Sequence, residues 1–134
     1  MTHSTAQCVM IALHTPKGVI LYGNDFKMDD TPILGSPPNY KVLREIAKEG
    51  VLCMVVDALY SSSEKKTPSE KIARALLEEV LLTIQNKDAG MIVTTFSSHI
   101  ARLKSIVEFG KKLNREVVFL GRSLDKYSRA AINS

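Results

Sequence analysis

Asp25 stands in the stretch LYGNDFKMDD, just after an apolar run, Gly18–Tyr22, that reads as a strand. A carboxylate at a strand end is either a turn residue bonding its own backbone or a metal ligand. A second set of reactive side chains follows later apolar runs. Asp57 comes first, then Thr94, Thr95, Ser97, Ser98 and His99, then Gly121, Arg122 and Ser123. One carboxylate, several hydroxyls and an arginine at a common edge suit a phosphate-bearing ligand. Hydroxyls and helix-start amides donate to anions, and guanidinium grips phosphate bidentately. Ser and Thr also cap helices, and about half of this set is read that way. Arg122 has an alternative partner in Asp125.

The elements that must position these residues change style near GSPPN, residues 35–39. Before it, Cys8–His14 and Gly18–Tyr22 read as two strands of a hairpin joined by TPKG. After it, helix and strand alternate. Tyr40–Lys48 has helical spacing, with Val42, Leu43, Ile46 and Ala47 on one face. Gly50 closes it, and Val51–Val56 reads as a strand covered on both faces. Thr67-Pro68-Ser69-Glu70 is a capping box with Pro at the first helical position. The helix it opens carries Ile72, Leu76, Val80 and Ile84, with Leu77 and Leu81 widening the stripe. Met91–Thr95 is the next strand, Ser98–Leu113 a helix, Val117–Leu120 a strand, and a last helix starts near Ser123. This order predicts an α/β fold with a parallel sheet, whose ligands bind at the carboxyl edge.

The composition is that of a soluble globular domain: 134 residues, 45% hydrophobic and 24% charged. No apolar run approaches the ~20 residues of a membrane span. MTHSTAQC lacks signal-peptide character, so a cytoplasmic location is expected. Cys8 and Cys53 sit in apolar runs and read as buried thiols. A net charge of +4 permits a polyanionic partner without requiring one. The sequence has no Gly-x-Ser-x-Gly elbow, P-loop or Rossmann glycine fingerprint. SSSEKK, residues 61–66, reads as an exposed loop, and His14 as a surface or partly satisfied strand histidine.

Taken together, THST, GNDFKMD, VVDALYSS, TPSE and IVTTFSSHIARLKSIVEFGKKLNREVVFLGRS resemble ribonuclease J and its archaeal relatives. These are β-CASP ribonucleases of the metallo-β-lactamase superfamily. The resemblance runs over essentially the whole chain and is most specific in TTFSSHIARL and GRS. It implies a two-zinc hydrolase of RNA phosphodiesters. His3, followed by Ser4, is similar to one metal ligand. Asp25 is similar to the ligand bridging both metals, in a Gly-Asp-Phe-Lys pattern that here carries an additional Asn24. Asp57 is similar to the acidic residue the group sets beside its zinc site. Ser97, Ser98, His99, Arg122 and Ser123 are the residues expected to face RNA phosphates. At His99 a cap or RNA-facing role is preferred to a metal.

The resemblance also implies domains. Residues 1–36 correspond to the late part of a metallo-β-lactamase segment, beginning as a β-hairpin. Residues 37–134 correspond to the first half of a Rossmann-like parallel β-CASP domain. The family's His-x-His-x-Asp-His cluster is not found in this sequence. The chain is therefore expected to be an internal fragment, inactive and without bound zinc when alone. Its expected partners are RNA and either the remainder of the enzyme or a second copy, with a homodimer usual for the family and no membrane. Two functions follow: part of a zinc-dependent ribonuclease acting as 5′ exonuclease, endonuclease or both, or a non-catalytic α/β module binding RNA or a protein. For such a standalone module, exposed apolar surface and self-association or poor solubility are expected.

Overall fold

The computed structural model describes residues 1–83 and 88–132. Ile84 of the expected helical stripe lies outside them. Strands β1 (Ile11–Thr15) and β2 (Gly18–Asn24) form the expected antiparallel hairpin, paired from Ile11–Tyr22 to Thr15–Gly18. Pro16 and Lys17 make its two-residue turn, and the Thr15 hydroxyl donates to the Gly18 carbonyl at 2.6 Å. Helix α1 (Tyr40–Glu49) starts where Asn39 Oδ1 accepts from the Val42 amide at 3.2 Å. Gly50 ends it at a φ of 101°, a conformation suited to residues without a Cβ. The chain then returns as β3 (Val51–Val56), parallel to β2, so that the sheet order is β1-β2-β3.

β2 is the central strand and its alternation shows it. Val19, Leu21 and Gly23 are buried, whereas Tyr22 and Asn24 are exposed. A Cβ on Gly23 would lie 2.8 Å from Val56 Cγ1, so only glycine lets β3 approach that closely. The β2–β3 register shifts between Tyr22 and Asn24, and Asn24 adopts a φ of 50°, which asparagine tolerates.

The second layer is helical. Helix α2 (Glu70–Thr83) packs on α3 (Ile100–Lys112), and α4 (Arg122–Ile132) follows. Leu81, Ala101, Leu103, Ile106 and Phe109 are buried between them. Arg74 lies over the Phe109 ring at 4.6 Å while its Nη1 donates to the buried Ser105 hydroxyl at 3.0 Å and pairs with Glu108 at 2.6 Å.

Several expectations are corrected. Met91–Thr95 and Val117–Leu120 are not strands, because neither pairs with a described strand. Both segments instead line a groove over Leu103 and Ile106 of α3. Val117 packs so tightly on Gly110 that a Cβ there would collide with it. β3 is not covered on both faces, since it is an outer strand with Leu52 63% and Met54 58% exposed. Its Cys53 is exposed rather than buried. On α2 the Ile72, Leu76 and Val80 stripe is also exposed, whereas Leu81 is buried and Leu77 half-buried, and Glu70, Arg74 and Glu78 are bonded to α3. Pro68 precedes the helix. Ser69 is the cap, its carbonyl accepting from the Ile72 and Ala73 amides.

Candidate functional site

Two places bring the candidate residues together. The first is the carboxyl edge of the sheet. β2 and β3 run parallel and end in register at Asn24 and Val56. Asp25 and Asp57 are therefore the first residues beyond adjacent strands, where open α/β sheets bind ligands. Both are exposed. Asp57 Oδ1 accepts from the Leu59 amide at 3.0 Å, which fixes the turn behind it. The Asp25 carbonyl accepts from the Cys8 thiol at 3.2 Å. Burial, with Asp25 adding to it and the terminal amine opposing it, pushes that thiol above its ordinary pKa and keeps it a donor.

The second place is a cavity of about 340 Å³ beside the N-terminal segment, lined among others by His3, Lys27, Asp29, Glu70, His99 and Arg102. Three backbone links build it. Thr2 and Lys27 form an antiparallel bridge, the Lys27 amide donating to the Thr2 carbonyl at 2.7 Å. His3 thus follows that bridge by one residue, and Asp25 precedes it by two. The Ile100 amide donates to the Ser4 carbonyl at 2.9 Å, which ties the His3 segment to the start of α3. Finally, Asp29 Oδ2 accepts from the Glu70 amide at 2.8 Å, joining residues 25–29, on the other side of the Thr2–Lys27 bridge, to α2.

Glu70 is the hub. Its carboxylate, 7% exposed, receives Arg102 at both oxygens, Nε to Oε1 at 2.7 Å and Nη2 to Oε2 at 2.9 Å. His99 Nε2 lies 3.5 Å from Oε2. The pair raises the pKa of Arg102. Burial lowers the pKa of His99 below its ordinary value, Glu70 pulling it up and Arg102 pushing it further down. His99 Nδ1 is buried without a hydrogen-bond partner among the described residues, a cost of about 1–3 kcal/mol for such a group. Burial works to raise the pKa of Asp29. Bonds from the Glu70 amide, the Ser69 hydroxyl and the Thr31 amide, with the Lys27 charge, outweigh it and hold the carboxylate below its usual range.

The sequence singled out His3, Ser97, Ser98 and His99, and the structure sets the two histidines in one cavity wall. Ser97 and Ser98 adjoin that wall as the loop leading to His99. Arg122 and Ser123 are exposed at the start of α4 and do not line the cavity. Asp125 pairs with Arg129 at 2.8 Å and not with Arg122. His99 occupies the N-cap of α3 but makes no side-chain cap bond, which removes the capping reading. His14 takes part in a surface pair, its Nδ1 2.8 Å from both Glu49 oxygens. Sequence reasoning missed Lys27, Asp29, Glu70 and Arg102. The available signal was the three-residue interval from His99 to Arg102, which puts both on one helical face.

The donor set for a metal is thin. His3 Nδ1 lies 3.1 Å from the Ser4 hydroxyl. Among the described residues no three His, Cys, Asp or Glu side chains converge as a metal site would need. A catalytic zinc takes three protein ligands. His3 and Asp25 do not supply a complete set.

The molecule is thus an α/β chain with two carboxylates at the ends of adjacent parallel strands and a histidine–glutamate–arginine cluster nearby. Residues 88–134 match the family described as Ribonuclease J, beta-CASP domain. Ribonuclease J of Methanocaldococcus jannaschii is 47% identical over 127 residues, covering 95% of this chain and 28% of that protein. Ribonuclease J of Pyrococcus abyssi is 42% identical over 131 residues, 98% of this chain and 29% of that protein. Ribonuclease J of Thermus thermophilus is 36% identical over 132 residues, 98% and 22%. The chain is similar to these ribonuclease J proteins along nearly all of its own length, and it spans less than a third of the length of these curated relatives. No described helix is long and apolar enough to cross a membrane.

Proposed function

We propose that this chain is part of a zinc-dependent ribonuclease that hydrolyses RNA phosphodiesters in RNA processing or decay, as a 5′ exonuclease, an endonuclease or both. The observation that carries this reading is the shared ending of β2 and β3 at Asn24 and Val56, the residues that immediately precede Asp25 and Asp57. Similarity to proteins named Ribonuclease J supports it. When bound, zinc supplies hydroxide near neutral pH. His3 and Asp25 would hold it together with ligands from the remainder of the enzyme or from a second copy. Ser97, Ser98, His99, Arg122 and Ser123 are the groups we assign to RNA phosphates, in a cytoplasmic and dimeric enzyme.

A second reading, a non-catalytic module that binds RNA or a protein, is favoured by one observation, the exposed apolar face of β3. Elemental analysis of protein purified without chelator or tag, paired with an RNA cleavage assay, separates the two. Cleavage by the chain, or about two zinc per chain, excludes the module. Salt-sensitive RNA binding with neither zinc nor turnover, persisting when the chain is supplied with the rest of a ribonuclease J polypeptide, excludes the enzyme. Turnover that appears only on that addition supports the enzyme with a divided site.

A further inference from the structure

Glu70 sits where three parts of the chain meet, and nothing in the zinc and phosphate reading uses it. Its amide is held by Asp29 and its two carboxylate oxygens by Arg102. From the loop before α3, His99 reaches it, with Nε2 at 3.5 Å from Oε2. A neutral imidazole facing a carboxylate through Nε2 keeps its proton there. Nδ1 is then the bare acceptor, and Nδ1 is the atom left buried without a partner. The contact with Glu70 favours this tautomer, and an unpartnered Nδ1 is compatible with it. The contact also explains why the ring stays in place although its second nitrogen is unsatisfied, because the carboxylate fixes it and Arg102 fixes the carboxylate.

We propose that Glu70 is a positioning residue. It fixes His99 as the Nε2–H tautomer and so sets the Ser97–His99 loop in the orientation that meets RNA. This rests on the ribonuclease reading only where RNA is concerned, since the tautomer is a property of the chain itself. Three links make the placement rigid: Asp29 to the Glu70 amide, Arg102 to the Glu70 carboxylate, and the Ser4 carbonyl to the Ile100 amide. Glu70 thereby relates the His3 segment to the phosphate-facing loop without touching substrate.

The test has two readouts on the 134-residue chain. Long-range ¹H–¹⁵N spectra of the imidazoles are recorded at neutral pH, with His99 assigned by its loss in His99→Ala. The wild-type ring is expected as the Nε2–H tautomer, and an Nδ1–H ring overturns the proposal without any variant of Glu70. In Glu70→Gln the signature is expected to become mixed. Affinity for a short single-stranded RNA is expected to fall about tenfold in Glu70→Gln and in His99→Ala, with the double variant no weaker than either. Additive losses, or an unchanged tautomer in Glu70→Gln, overturn it. If the wild-type chain binds no RNA, the phosphate assignment fails while the tautomer still decides the role of Glu70. If Glu70→Gln does not fold, the wild-type spectrum carries the decision.

Discussion

Asp29 and Glu70 meet through one hydrogen bond, the Asp29 carboxylate accepting from the Glu70 amide at 2.8 Å across 41 positions of sequence. Asp29 is 3% exposed and also accepts from the Thr31 amide at 3.0 Å. One side chain thus holds the first amide of α2 and fastens the helix to the segment that carries Asp25, which the Thr2–Lys27 bridge joins to the His3 segment.

Asp29→Asn should therefore destabilise the fold by about 1–3 kcal/mol in urea denaturation, since an amide group replaces an acceptor beside two backbone donors. The effect should depend on pH in one direction. The folded pKa of Asp29 is held below its ordinary 3.8 by the Glu70, Ser69 and Thr31 bonds, which outweigh burial. Its contribution is therefore complete above the unfolded value and is lost as pH falls through the lower folded value. Wild type and variant should converge in stability below pH 3.8 and differ above it. A constant difference across that window would refute the assignment.

Phe109 is fully buried and has two cations against its ring, Arg74 at 4.6 Å and Lys112 at 5.3 Å. Phe109→Ala should cost ~3–5 kcal/mol by cavity formation. Ile92, 94% exposed, serves as the contrast, and its replacement by Ala should move stability by less than about 0.5 kcal/mol. Thermal or chemical melts of the two variants check both values.

The hairpin (to within three residues), α1 and the extent of β3 were legible in the sequence because their signals are local. TPKG makes the turn, Asn39 caps the helix and Gly50 stops it. Helices α2 to α4 were legible for the same reason, to within two or three residues. Strand status at Met91–Thr95 and Val117–Leu120 was not, because an apolar run becomes a strand only when a neighbour supplies hydrogen bonds. The face of α2 was misassigned because α3 pairs with Glu70, Arg74 and Glu78 and leaves Leu81 rather than Ile72, Leu76 and Val80 buried, a choice that helical period alone does not make. Among site residues, Asp25 and Asp57 were visible as carboxylates after strands. Glu70 was visible only as part of a capping box, and its pairing with Arg102 depends on a tertiary contact across 32 positions.

Arg122 is exposed at the start of α4, and its candidate partner Asp125 is engaged by Arg129. If it meets RNA phosphate, Arg122→Ala should weaken binding uniformly across RNA sequences. It should also reduce the slope of log affinity against log salt by roughly 0.7, the single-strand value per phosphate. Binding titrations at several salt concentrations measure this. An unchanged slope would remove Arg122 from the phosphate set.

β3 is an outer strand carrying Val51, Leu52, Met54 and Val55 at 40–63% exposure. Such an edge offers unpaired backbone groups next to apolar side chains, which other chains can pair with. The isolated chain should therefore self-associate with rising concentration, seen as a growing mass in multi-angle light scattering. Leu52→Glu together with Met54→Glu should reduce that association, because like charges on facing edges repel and the apolar contact is lost. The pair should leave the hairpin intact, since β1 and β2 hold each other independently of β3. If the double variant associates as strongly as wild type, the sticking surface lies elsewhere. The exposed stripe of Ile72, Leu76 and Val80 on α2 would be the next place to put a charge.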